Sequence, residues 1–268
     1  MSARHSPSPP PQPPRFGWTL SLPLLIFLAL PLLALIWRSS PQQVALNLGR
    51  VAVQQAIFIS LITSTVSTGL VILTGTPVAY LMARRQFRGR RAVDTLIDLP
   101  TVLPPAVAGV ALLMAFGRRG IAGTFLNTLG LNIAFTPIAV VMAQMFIAAP
   151  LYIKSAIVGF SGVEPEMEQA AGLDGASNWR VFWHITVPLS RAALLNGAVL
   201  TWARALGEFG ATIIFAGNFP GRTQTMPLAI YIGFELELNV ALTLSVILLG
   251  LSFLVLILAR LFWQREAA

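Results

Sequence analysis

Arg204 and Glu208 stand four positions apart in "WARALGEFGAT", inside an otherwise apolar run. Arg204 is twelve residues past the start of that run near residue 192, so it sits roughly 18 Å along a helix at ~1.5 Å per residue. That depth is close to a bilayer midplane. A charge there costs at least ~2.5–3.5 kcal/mol on insertion scales, so it must face protein or water and take a partner. The i, i+4 spacing puts the two side chains on one helix face, and Asn196 and Thr212 fall on the same predicted stripe. Two readings follow. The pair neutralises itself and locks its helix to a neighbour or to a second copy, or Arg204 lends positive potential to a path taken by an anion.

Covalent and metal chemistry find few residues to work with. The chain has no Cys, so thiol and disulfide chemistry are excluded. Its two His, His5 and His184, are far apart, and a zinc site needs three or four converging ligands; no metal site and no catalytic set is expected. No G-x-x-x-x-G-K-[ST] loop is present, so no ATP site of that kind is expected here. A nucleophile elbow of the G-x-S-x-G type is also missing.

The second polar feature is "EPEMEQAAGLDGASNWRVFWHITVP", Glu164–Pro188, which holds four of the ten acidic residues. Pro165 suits a first helical turn, and Glu164, Glu166 and Glu168 complement the positive end of a helix there. Met167, Ala170 and Ala171 give that helix a small apolar stripe at i, i+3, i+4. Gly172 and Gly175, around Asp174, are expected to end it. Ser177 can cap a second short helix, which Pro188 is expected to break. The stretch therefore reads as two short helices beside a membrane, either a packed connector or a surface on which something docks.

The elements that must carry these groups are membrane spans. Of 268 residues 56 % are hydrophobic and only 10 % charged, against about 25 % charged in soluble domains. Six apolar runs, at about 17–37, 54–83, 95–116, 133–160, 192–216 and 240–263, each approach the ~20 residues a spanning helix needs. The fold expected is all-α, one domain over residues 17–265 with six transmembrane helices, preceded by a disordered Pro-rich tail over 1–16. The first run ends in "IWRSS" rather than in a small-residue cleavage site, which points to a retained anchor. Trp18, Trp37 and Trp263 sit where interfacial aromatics belong. The net charge of +8 comes from seventeen Arg and Lys154 clustered at the ends of apolar runs. Topology explains that better than nucleic acid, which is not an expected partner. Twelve basic residues fall on one side and five on the other, which places both termini, the 84–94 loop with "RRQFRGRR" and the 161–191 loop in the cytoplasm. Asp94 and Asp98 are expected to pair with that Arg run. Residues 217–239 are expected to form an irregular extracytoplasmic segment with Arg222 as a solvated charge.

The loop resembles the "EAA" loop of ABC importer permeases, approximately E-A-A-x3-G-x9-I-x-L-P. Gln169-Ala170-Ala171, Gly175, Ile185 and Pro188 hold the family spacing. Gln169 stands for the Glu, as in the oxyanion-importing branch, and Val187 for the Leu. "GTPVAYLMARRQFRGRR" and "LPTVLPPAVAGVALL" look like the second and third spans of type I importer permeases, and "WARALGEFGATIIFAGNFPGRTQTMPLAIY" resembles the molybdate subgroup, with sulfate permeases as near relatives. The resemblance covers about residues 50–265. It implies a type I fold and a bacterial plasma-membrane location. It also implies a coupling helix built from Glu164, Glu166, Glu168, Gln169, Ala170, Ala171, Gly172, Asp174 and Gly175, docked on an ATPase subunit. The partners implied are an ABC ATPase dimer, a soluble oxyanion-binding protein and a second copy of this chain. ATP and Mg²⁺ belong to the ATPase, with no cofactor on this chain. The function implied is ATP-driven import of an oxyanion, molybdate or tungstate first and sulfate or thiosulfate second. A self-sufficient secondary transporter is the alternative of another class. It expects ligands in broken helices at midplane and leaves the 164–188 pattern unexplained.

Overall fold

The computed structural model describes residues 15–266, with side chains described for 21–257. The expected tail falls outside the described residues up to residue 14, as do the side chains of Trp18 and Trp263. Thirteen α-helices, one π turn and no strand occur among the described residues. In chain order they are α1 (Arg15–Arg38), α2 (Pro41–Leu48), α3 (Val51–Arg84), α4 (Arg90–Val102), α5 (Pro105–Phe116), α6 (Gly123–Thr128), α7 (Pro137–Ser161), α8 (Pro165–Leu173), α9 (Asn178–Val181), α10 (Val187–Leu206), α11 (Gly210–Ala216), α12 (Met226–Leu236) and α13 (Leu238–Glu266). Four of the six expected runs are single helices long and apolar enough to span: α1, α3, α7 and α13. The other two are broken.

Helices α4 and α5 meet at 118°. The sequence there is Leu103-Pro104-Pro105. A residue before proline is pushed out of the α region, and Leu103 and Pro104 are both extended, with ψ 134 and 132. The run expected to span at 95–116 is therefore broken rather than one straight helix, and as a bent pair it still counts as one candidate span. Its first half, α4, turns across the direction of its second. The fifth run bends by 59° between α10 and α11.

The centre is a seam of small residues. On α3, Ser60, Ser64, Ser67, Val71, Gly75 and Ala79 are all buried, at the spacing of one helix face. They let α7 approach closely, which is how helices associate where lipid and side chains are equally apolar. Ser67 Oγ lies 3.0 Å from Gln144 Oε1, and the Thr76 and Tyr152 hydroxyls are 2.6 Å apart. These pairs run in the same order along both helices, so α3 and α7 are parallel. Ser155 Oγ donates to the Ala193 carbonyl and Thr201 Oγ1 to that of Ala148, so α10 runs antiparallel to α7. Such alternation is what serial crossings require.

Lys154 on α7 donates to Asp94 (2.6 Å) and Asp98 (2.9 Å) on α4. This corrects the expected pairing of both Asp with the Arg run. The two carboxylates are i, i+4 on α4 and reach one ammonium together, tying the crosswise helix to a span. All three groups are partly exposed, so Lys154→Met is expected to cost only about 1 kcal/mol, read as a small drop in melting temperature.

Residues 217–239 are also corrected. They are not irregular throughout, because α12 occupies 226–236. Thr223, Gln224 and Thr225 are buried, and the Met226 amide donates to Ser60 Oγ. Arg222 is exposed, as expected.

Candidate functional site

Helix α8 hangs below the ends of α3 and α7, held by one carboxylate. Glu168 Oε1 accepts from Arg84 Nη2 at 2.8 Å and from Thr186 Oγ1 at 2.6 Å. Arg84 Nη1 also donates to the Val163 carbonyl at 3.0 Å. Arg84 and Glu168 are each only 16 % exposed, so the contact is a shielded ion pair rather than a surface one. Glu168 thus anchors the loop from within, while the other members of the expected set face outward. Glu164, Glu166, Gln169, Ala170, Gly172, Asp174 and Gly175 are exposed and Ala171 is half-buried. The Arg84–Glu168 link joins positions 84 apart in sequence, and no local pattern signals it. Glu168→Ala is expected to leave Arg84 unanswered and to cost about 1–3 kcal/mol, seen as earlier melting and as faster proteolysis within 161–178.

Asp174 follows α8 and Gly175 ends it in the left-handed region at φ +84. The Gly175 amide donates to the Gly172 carbonyl and the Ala176 amide to that of Ala171. This is a Schellman motif, which needs glycine-like freedom at that one position. Ser177 Oγ then accepts from the Arg180 amide, the cap expected from the sequence.

Pro188 does not break the chain, and that expectation is corrected. Residues Phe182–Thr186 form one π turn that runs straight into α10. A proline lacks an amide hydrogen and crowds the carbonyl four residues back; a wider π turn just before it relieves both. The widened turn also swings Phe182 against Tyr80 of α3 (5.1 Å between rings) and Phe160 of α7 (6.1 Å). The loop is therefore fastened twice, by the ion pair and by this aromatic cluster. Outside that anchorage Leu173 is 90 % and Trp179 70 % exposed. Side chains in that state are open to cover by a partner or by lipid.

Within the spans, Arg204 Nη1 donates to Glu208 Oε2 at 2.7 Å. The pair forms as the spacing requires, but helix α10 stops at Leu206. Glu208 lies in the break, and its Oε1 accepts from the Ala211 amide at 2.9 Å. The expected common stripe of Asn196, Arg204, Glu208 and Thr212 is therefore corrected: Asn196, half-buried, is on α10 and Thr212, buried, on α11. The Thr212 hydroxyl has no hydrogen-bond partner. Glu208 is 1 % and Arg204 37 % exposed on their side chains, so the carboxylate is sealed and the guanidinium is not. Gly109 of α5 lies against Ala211, where a Cβ would come within 2.8 Å of the backbone. The second halves of the two broken spans, α5 and α11, thus lie side by side. No group of metal-ligating side chains occurs among the described residues.

The family model "Binding-protein-dependent transport system inner membrane component" matches residues 75–267. A molybdenum transport system permease protein of Mycobacterium bovis is 38 % identical over 249 residues, 93 % of this chain and 94 % of that one. A sulfate transport system permease protein of Synechococcus elongatus is 34 % identical over 82 % of this chain and 77 % of that one. A bacterial ABC transporter involved in import of the acidic polysaccharide alginate aligns with TM-score 0.73 at 16 % identity, covering 93 % of this chain and 95 % of that one; it supports the fold alone. Both the broken fifth span and the anchored α8 thus belong to an all-helical permease rather than to an enzyme. This chain is a member of the binding-protein-dependent transport system inner membrane component family, a permease subunit with the type I importer fold.

Proposed function

We propose that this chain is the translocation subunit of an ATP-driven importer of a tetrahedral oxyanion, molybdate or tungstate. The observation that carries the importer mechanism is the two-sided construction of α8. One side is bound to α3 through Arg84–Glu168, while the other offers Ala170 and Gly172 with exposed Leu173 beside them. A helix held this way transmits force: a partner that moves α8 also moves α3 and, through Phe182, α7. The partner is a pair of ATPase subunits, which bind ATP and Mg²⁺; this chain holds no cofactor. One copy provides half a pathway, so the working form is a homodimer fed by an oxyanion-binding protein outside the membrane. Both termini lie in the cytoplasm, on the side of the twelve basic residues.

The choice of anion rests on similarity to the molybdenum permease. Sulfate or thiosulfate is the second reading, favoured by the Synechococcus relative. A secondary transporter expects open ligands at helix breaks. Here the break in the fifth span is filled by Glu208, which spends both oxygens on Arg204 and Ala211. Competitive uptake in cells carrying the whole transporter tests the proposal. Tungstate is expected to compete with labelled molybdate at equal concentration, and sulfate only in large excess. Equal competition by sulfate would establish the second reading, and uptake without any ATPase would overturn the importer.

A further inference from the structure

A cavity of about 500 Å³ opens where the chain leaves α3 and enters α4. Its apolar wall is Met82, Phe87 and Ile157, and its polar rim is Gln86, Arg90 and Arg91. Asp94 also reaches the rim, where it shares the one Lys154 ammonium (2.6 Å) with Asp98. Among the described residues neither Arg90 nor Arg91 is in an ion pair. The site therefore combines two guanidinium groups, neither in an ion pair, with an apolar wall, and stays net basic beside Asp94.

Its setting narrows the ligand. Helix α4 turns away from α5 by 118°, and Leu96, Leu99 and Val102 are exposed along it. A neighbouring face of the same helix carries Asp94 and Asp98 onto Lys154. A helix with an apolar side uncovered and an adjoining side tied to a span lies along the membrane interface. The cavity at its start is then at headgroup depth. We infer that this cavity binds the headgroup of an anionic phospholipid, its phosphate on Arg90 and Arg91 and the first carbons of an acyl chain against Ile157 and Phe87. Guanidinium forks match phosphate oxygens in pairs. A soluble anion would leave the apolar wall unused, whereas a lipid uses both parts. Occupancy would fasten α4 and so steady, through Lys154, the span that leads into α8.

The test uses the detergent-solubilised full-length chain and native mass spectrometry with phosphatidylglycerol, phosphatidylcholine or inorganic phosphate. Phosphatidylglycerol is expected to be retained and the other two not. Arg90→Gln is expected to lower its retention about fivefold, the effect of one basic residue near an anionic surface. Ile157→Trp fills the cavity while keeping every charge, and is expected to lower retention similarly. Arg88→Gln removes an equal charge from the same turn outside the cavity, and should leave retention unchanged. The inference is overturned if phosphatidylcholine is held as well as phosphatidylglycerol, or if inorganic phosphate binds alone. It also fails if Arg88→Gln falls as far as Arg90→Gln, or if Ile157→Trp melts as the wild type does and still retains the lipid.

Discussion

Glu208→Leu is expected to lose about 3 kcal/mol of stability, the low end of the cost of removing one partner from a buried ion pair, because Arg204 keeps some exposure. Two debts arise at once. Arg204 is left deep in a span without its counter-charge, and the Ala211 amide at the start of α11 loses its acceptor. Thermal melting of the detergent-solubilised protein should fall well below that of wild type, with little protein recovered from the membrane. Glu208→Gln is expected to sit between, since an amide oxygen still caps Ala211 but leaves the guanidinium uncompensated. The double variant Arg204→Met/Glu208→Met separates structure from transport. It buries no charge, so most of the lost stability should return, while uptake stays low if Arg204 supplies positive potential to the anion path. A well-folded double variant with normal uptake would leave the pair a purely structural lock.

Gly175→Asp is expected to abolish transport while leaving the protein inserted and folded. The position has φ +84, which Asp tolerates better than most residues. A Cβ there meets nothing within 4 Å inside the chain. Gly172 is a cleaner probe, since a Cβ there also meets nothing and no positive φ is involved. Gly172→Trp thus has room within the permease, and would have none if α8 docks in a fitted partner groove as proposed. Overpacking a fitted contact costs typically 1–3 kcal/mol, or about tenfold in partner occupancy for each 1.4 kcal/mol. Binding-protein-stimulated ATP hydrolysis by the reconstituted transporter is expected to fall at least about fivefold for both variants, with unchanged melting of the isolated chain. Wild-type stimulation by Gly172→Trp would remove α8 as the docking helix.

The sequence was most legible where one short stretch contains both the signal and its consequence. The C-terminal ends of α3 and α7 follow from hydropathy, the Ser177 cap from one hydroxyl before a helix, and the Arg204–Glu208 contact from their four-residue spacing. The broken third span was present in Leu103-Pro104-Pro105 but outweighed by hydropathy: an apolar run of the right length reads as one crossing whether or not its backbone turns. Pro188 erred the other way. A proline reads as a stop, and only the π turn before it, shaped by Phe182 packing on Tyr80 and Phe160, lets the helix continue.

By itself, then, the sequence determined that the chain is an all-helical membrane protein with a polar two-helix loop and one opposite-charge pair inside an apolar run. These depend on solvent transfer and on neighbours within a turn, which act at short range along the chain. The tertiary structure decided the partners: Arg84 for Glu168, Lys154 for Asp94 and Asp98, and the Ala211 amide for the second oxygen of Glu208. Which of several free arginines meets a given carboxylate depends on how spans pack. That packing follows from a seam of Ser, Gly and Ala side chains, whose small size permits close approach without naming the neighbour.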